Sequence, residues 1–157
     1  MNLDWFASTW LNGLMVNYAY TWPLFEILHF IGLCLLVGAL TVVDLRLLGM
    51  GRAMSLHKTE RFVNWAIFGF AINLLTGIGF FFGDPHRYYP NIAFRIKMLL
   101  ILLAGLNLVW YQLTVARKIK LVGDSYQPGV DAKCIATLSL SLWVGVILFG
   151  RLIPYLE

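Results

Sequence analysis

The sequence predicts an all-α integral membrane protein: an antiparallel four-helix bundle preceded by an N-terminal amphipathic helix lying in the interface. Three observations carry this. Four runs of the chain are nearly free of charge and long enough to cross a hydrocarbon layer of roughly 30 Å. Hydrophobic residues make up 60% of the chain and charged residues 13%, outside the range of a soluble domain. The connections between the runs are short and rich in turn formers, as antiparallel neighbours require, so the 157 residues form one domain.

Residues 2–20 contain no basic group, and Asn12, Gly13 and Asn17 interrupt their apolar content too often for a span. Leu3, Phe6, Ala7, Trp10 and Leu14 form one face and Asp4, Ser8 and Asn12 another, the pattern of a helix lying in the headgroup layer. This segment lacks the basic region and cleavage site of a secretory signal, so Met1 is expected to be the mature start.

The first span, about 23–46, opens with Trp22-Pro23, a headgroup-level aromatic followed by a residue tolerated in a first helical turn. At 100° per residue, Glu26, His29, Leu33, Leu36, Leu40 and Asp44 share one stripe, which must face protein because it carries the ionisable groups. The second span, about 62–83, repeats Gly69, Asn73 and Gly77 every four residues, a face suited to close helix approach and an interhelical hydrogen bond. DPHRYYPN, residues 84–91, is a turn with tyrosines suited to the interface. The third span, about 92–117, has Asn107 at its centre and ends in Arg117, Lys118 and Lys120; the fourth, about 133–153, ends at Arg151 and Pro154. Cys34 and Cys134 lie at different depths and are not expected to pair.

The formal charge of +4 does not indicate nucleic acid, because the cations gather at the ends of the apolar runs. Arg46, Arg52, Lys58, Arg61, Arg117, Lys118, Lys120 and Lys133 fall on one side, against Arg87, Arg95, Lys97 and Arg151 on the other. By the positive-inside rule the first side is cytoplasmic, which puts both termini and the 84–91 loop outside.

At that outer side the polar residues of the spans converge. His29 and Lys97 each lie six residues inside their helices, roughly 9 Å along the axis. Glu26 is one turn above His29, and His86, Arg87, Arg95 and Arg151 are close to the same level. Ionisable groups in a span are costly and mark a functional site by default. An inward histidine at this depth suits haem iron. Gly32 would leave room for the macrocycle, and Arg87, Arg95 or Arg151 would meet its propionates. The sixth ligand is open among His86, Met98, Lys97 or none, and His57, at the other face, is an ordinary loop histidine. Lys97 either snorkels to headgroups or pairs with Glu26 or a propionate, in which case the two are the candidates for moving protons. Scattered methionines argue against copper.

WPxxExLHxxGxxLLVG, here Trp22 to Gly38, followed by DLRLLG from Asp44 to Gly49, resembles a group of small uncharacterised bacterial four-helix membrane proteins. FRIKMLLILLAGLN, from Phe94 to Asn107, is similar to the corresponding helix of copper-resistance D type membrane domains. It is similar, more loosely, to the haem b-containing four-helix membrane protoporphyrinogen oxidases. In those oxidases a first-helix His and a third-helix Lys are functional, which implies roles for His29 and Lys97. The resulting expectation is a multi-pass protein of the bacterial inner membrane that binds haem b and exchanges electrons with a periplasmic redox protein or quinone as part of a larger complex. Two alternatives stand beside it: an enzyme oxidising a porphyrinogen, and a cofactor-free accessory subunit whose polar residues fix helix packing.

The orientation is checked by cysteine labelling. Ser55→Cys and Ser125→Cys are expected to resist an impermeant reagent in intact spheroplasts and to react after lysis; labelling of either in intact spheroplasts would invert the topology.

Overall fold

The structure, a computed structural model, describes residues 3–51 and 54–156; Arg52 and the side chain of His57 lie outside the described residues. Two short helices, α1 (Asp4–Ala7) and α2 (Trp10–Asn17), lead into α3 (Thr21–Leu47). After α4 (Leu56–Gly83) comes the single turn α5 (Pro85–Tyr88). The third long helix, α6 (Ile92–Tyr111), runs through a wide π turn, Gln112–Ala116, into α7 (Arg117–Val122). α8 (Val130–Leu152) and a 3-10 turn, Ile153–Tyr155, complete the chain. Among the described residues four helices are long and apolar enough to cross a membrane: Thr21–Leu47, Arg61–Gly83, Ile92–Val122 and Val130–Tyr155. The protein is therefore a four-span helical membrane bundle.

Helix starts follow the local chemistry. Ser55, Asp84 and Asn91 each accept a hydrogen bond from the backbone N–H three residues on, at 3.4, 3.2 and 3.1 Å, which occupies a donor the first helical turn leaves open. At the end of the third span, Gly123 takes a positive φ of 64° that a side chain would disfavour.

The N-terminal segment differs from the single amphipathic helix expected over 2–20. It breaks at Ser8, and Thr9 caps a new helix by accepting from the Asn12 N–H at 3.4 Å. The break resets the helical phase, so Trp10 turns outward while Asn12 turns inward. The Asn12 side chain donates to the Phe82 and Gly83 carbonyls at 2.8 and 3.2 Å, and Met15 is buried. Phe6 meets Phe81 and Phe82 edge to face, which ties the segment to the last turn of α4.

Around the bundle the order is α4, α3, α8, α6: α3 packs on α4 and on α8, and α6 packs on α8. Although consecutive, α4 and α6 scarcely touch through their length. They meet at the terminal end, where Phe81 and Phe94 stack with centroids 6.0 Å apart. The best-buried core lies towards the opposite end, where Val43 and Leu47 pack with Val115, Ile119 and Ile135. At the terminal end hydrogen bonds substitute for such a core, and the Asn91 side chain donates to the Ile153 and Leu156 carbonyls at 2.9 and 3.3 Å.

The tightest crossing is between Gly32 and Gly69. A β-carbon at Gly69 would lie 2.7 Å from the Gly32 carbonyl oxygen and 2.7 Å from the Leu36 nitrogen, both fixed backbone atoms. The four-residue repeat expected on α4 is only partly the contact face. Each step of four advances the helix by 40°, so Gly77 has rotated away and its β-position is open, while Thr76, seven residues on, has rotated back by only 20°.

Gly69→Leu is expected to destabilise the bundle by about 2 kcal/mol, the usual scale of overpacking against an interface that cannot yield. Gly77→Leu, facing open space, is expected to leave thermal unfolding in detergent unchanged.

Candidate functional site

His29 lies in the third turn of α3 and faces α4. Its Nδ1 is 2.7 Å from Thr76 Oγ1, and its ring packs edge to face on Phe80 with centroids 5.5 Å apart. The Thr76 hydroxyl has one proton and donates it to the Ile72 carbonyl at 2.7 Å, the helix's own i−4 acceptor. With that proton spent there, the oxygen is open to accept from a His29 Nδ1–H, the tautomer that leaves the lone pair on Nε2. A histidine held this way is oriented to accept a proton or to ligate a metal.

Lys97 also turns inward. Its stem runs along α8, where a β-carbon at Gly150 would sit 3.5 Å from Nζ and 3.6 Å from Cδ and Cε. It is near enough for its charge to act on His29. Gly150 is the residue that makes the space, and the sequence marks it only as the end of an apolar run.

Several expected members are elsewhere. Glu26 is exposed and accepts from its own helix at 3.1 Å, from Trp22 Nε1, and its charge reaches Tyr88 of α5. Among the described residues no ion pair joins it to Lys97. The space at Gly32 does not await a macrocycle: a β-carbon there would meet Asn73 Nδ2 at 2.7 Å, Ile72 Cγ2 at 2.9 Å and the Gly69 carbonyl at 3.0 Å. A glycine opens room for whatever is nearest, and here that is the backbone of α4. His86 is exposed and pairs with Asp4 at 3.7 Å, so its partner is the N-terminal segment. Arg151 lies over the Tyr155 ring at 5.8 Å, Arg95 is exposed, and Met98 is exposed on the bundle's outside. Arg87 stays in the loop, its backbone N–H on Asp84. In the same loop, burial pushes the Tyr88 phenol above its ordinary value, against the opposing effect of Arg87. Among the described residues no three His, Cys, Asp or Glu side chains gather as a metal site would need.

Thr114, Thr137 and Ser141 spend their hydroxyls on carbonyls of their own helices, whereas two further polar groups of the spans face a neighbour. Asn107 of α6 donates to the Ile135 carbonyl of α8 at 3.1 Å, and Ser139 of α8 lies beside the Asp44 carboxyl of α3, near enough to act on it. With His29 and Thr76, the α3–α4 and α6–α8 pairs each have one interhelical bond. Asn73 is an exception to the expected interhelical role, since it donates to Gly69 of its own helix at 3.0 Å. Thr76 and Ser139 escape a reading of the sequence because hydroxyls are common in spans and carry no charge to mark them.

Comparison of the chain with protein-family models, curated proteins and solved structures finds no match.

Thr76→Val removes the acceptor of the His29 proton. The expected loss of stability is about 0.6 kcal/mol, the mean for an interhelical bond in a membrane. In imidazole ¹⁵N spectra the parent should show a single Nδ1–H tautomer and the variant a mixture; one unchanged tautomer in both would show that Thr76 does not set it.

Proposed function

We propose that this protein is a four-span accessory subunit of a larger assembly in the bacterial inner membrane, with both termini periplasmic and its intramembrane polar residues used to fix helix packing. The observation that carries this reading is that polar side chains inside the spans reach neighbouring helices, His29 to Thr76 and Asn107 to the Ile135 carbonyl, while Ser139 of α8 lies beside Asp44 of α3. In lipid, where apolar surface gives helices little reason to associate, such bonds and close glycine contacts select one arrangement. The filled space at Gly32 and the outward Glu26 both weigh against a resident macrocycle on that stripe.

A second reading keeps haem b and electron exchange with a periplasmic partner or quinone, and one observation favours it: the bond to Thr76 leaves the Nε2 lone pair of His29 uncommitted. The inward Lys97 beside it would then serve as the neighbouring charge. The looser resemblance of the third span to the haem b-containing four-helix membrane oxidases points the same way.

A visible spectrum of protein purified in mild detergent separates the two. The subunit reading expects no Soret band, together with migration on a native gel well above the 17.9 kDa chain and co-purification of a second membrane protein. A Soret band that disappears in His29→Ala would establish the second reading and overturn the first.

A further inference from the structure

Between the inner halves of the four spans lies a cavity of about 110 Å³, and its walls are almost wholly hydrocarbon and aromatic. Two polar atoms inside it are buried with no hydrogen-bond partner, Oδ2 of Asp44 and Oδ1 of Asn107, on residues only 4% and 6% exposed. The Asn107 amide nitrogen is already used, donating to the Ile135 carbonyl, and Ser139 lies beside Asp44. What is left open is therefore a carboxylate oxygen and an amide oxygen, both acceptors, at considerable cost in a bilayer interior.

We propose that this cavity is a binding site for a small primary organic ammonium, its head between Asp44 Oδ2 and Asn107 Oδ1 and its short alkyl tail along the apolar wall. The chemistry narrows the ligand by steps. Unused acceptors call for a ligand that donates, which excludes a quinone carbonyl. A carboxylate outside water favours a cation, and charge-assisted hydrogen bonds are the strong ones. Two open oxygens are too few for calcium or magnesium, which take six or more. Phe70, Tyr111 and Trp143 line the same space and supply aromatic surface that attracts a cation. The volume sets the size, since an engineered cavity of about 150 Å³ holds benzene, so a tail of about four carbons fills this one.

Access is built into the helix order. Ile67 of α4 and Gly105 of α6 both line the cavity and both are exposed, and a β-carbon at Gly105 would meet nothing within 4 Å. The cavity thus reaches the lipid-facing surface where α4 and α6 diverge. An amine partitioned into the membrane would enter from the side.

The test uses the full chain in detergent, with radiolabelled n-butylamine as probe and 1-butanol as its neutral counterpart in equilibrium dialysis. Saturable amine binding is expected, with the alcohol weaker by about tenfold or more, the worth of a charged hydrogen bond. Asp44→Asn keeps the shape, removes the charge, and should weaken amine binding by a similar factor. Should that variant not fold, Ala104→Leu decides: it fills the cavity wall, leaves Asp44 in place, and should abolish binding. Equal affinity for amine and alcohol would overturn the site. So would undiminished binding in either variant, or a lipid chain in the cavity that n-butylamine does not displace in native mass spectrometry. The readout needs neither haem nor a partner protein, so it stands or falls apart from the subunit reading.

Discussion

The backbone contact between Gly32 and Gly69 is the constraint on which the rest of this bundle depends. Helices in lipid gain little from covering apolar surface, so they associate where small residues let them come close and where polar groups find partners. With no side chain at either position, α3 and α4 approach until carbonyl and amide atoms would touch any added carbon. That approach brings His29, one turn from Gly32, to Thr76, two turns from Gly69, and sets Asn73 against Gly32. It also commits α4 to α3, which leaves α6 to be held by α8. The open seam between α4 and α6 follows from that commitment.

The two ends of the bundle are stabilised differently. Away from the termini, Leu47, Val115, Ile119 and Ile135 are almost wholly enclosed and packing suffices. At the terminal end the helices are joined by directed bonds, Asn91 to the C-terminal turn and Asn12 to the end of α4. Directed bonds fix positions without filling space, and the inward His29 and Lys97 belong to this sparser half. The polar pair Asp44 and Asn107 sits in the better-packed half, where an unfilled lone pair is harder to satisfy by chance.

Much of this was legible in the sequence. The four spans were, because a charge within a bilayer is costly enough to write itself as an absence over some twenty residues. The inward stripe of α3 was legible for His29 and Asp44 but not for Glu26, which sits near enough to the helix end to turn to Trp22 and the headgroup level. Gly32 was misread because a missing side chain states only that something comes close. Thr76 was hidden by counting in fours on a helix that turns in 3.6. The break at Ser8 depends on a cap that competes with continuing the helix, a balance too local for a face pattern to show. Neighbour order was not legible at all, since a short loop such as 84–91 brings helix ends together without requiring that the helices pack along their length.

That order has a consequence for how the protein is made. The two most intimate pairings are between α3 and α4 and between α6 and α8, each a pair of successive spans. As the ribosome delivers the chain, the first hairpin can close on its glycine contact before the third span has left the exit tunnel, and the second can close on Asn107 afterwards. Among the contacting pairs of long helices, the meeting of α3 with α8 joins distant parts of the sequence. Assembly then reduces to docking two preformed hairpins along one face, and the seam on the other side closes only at its two ends.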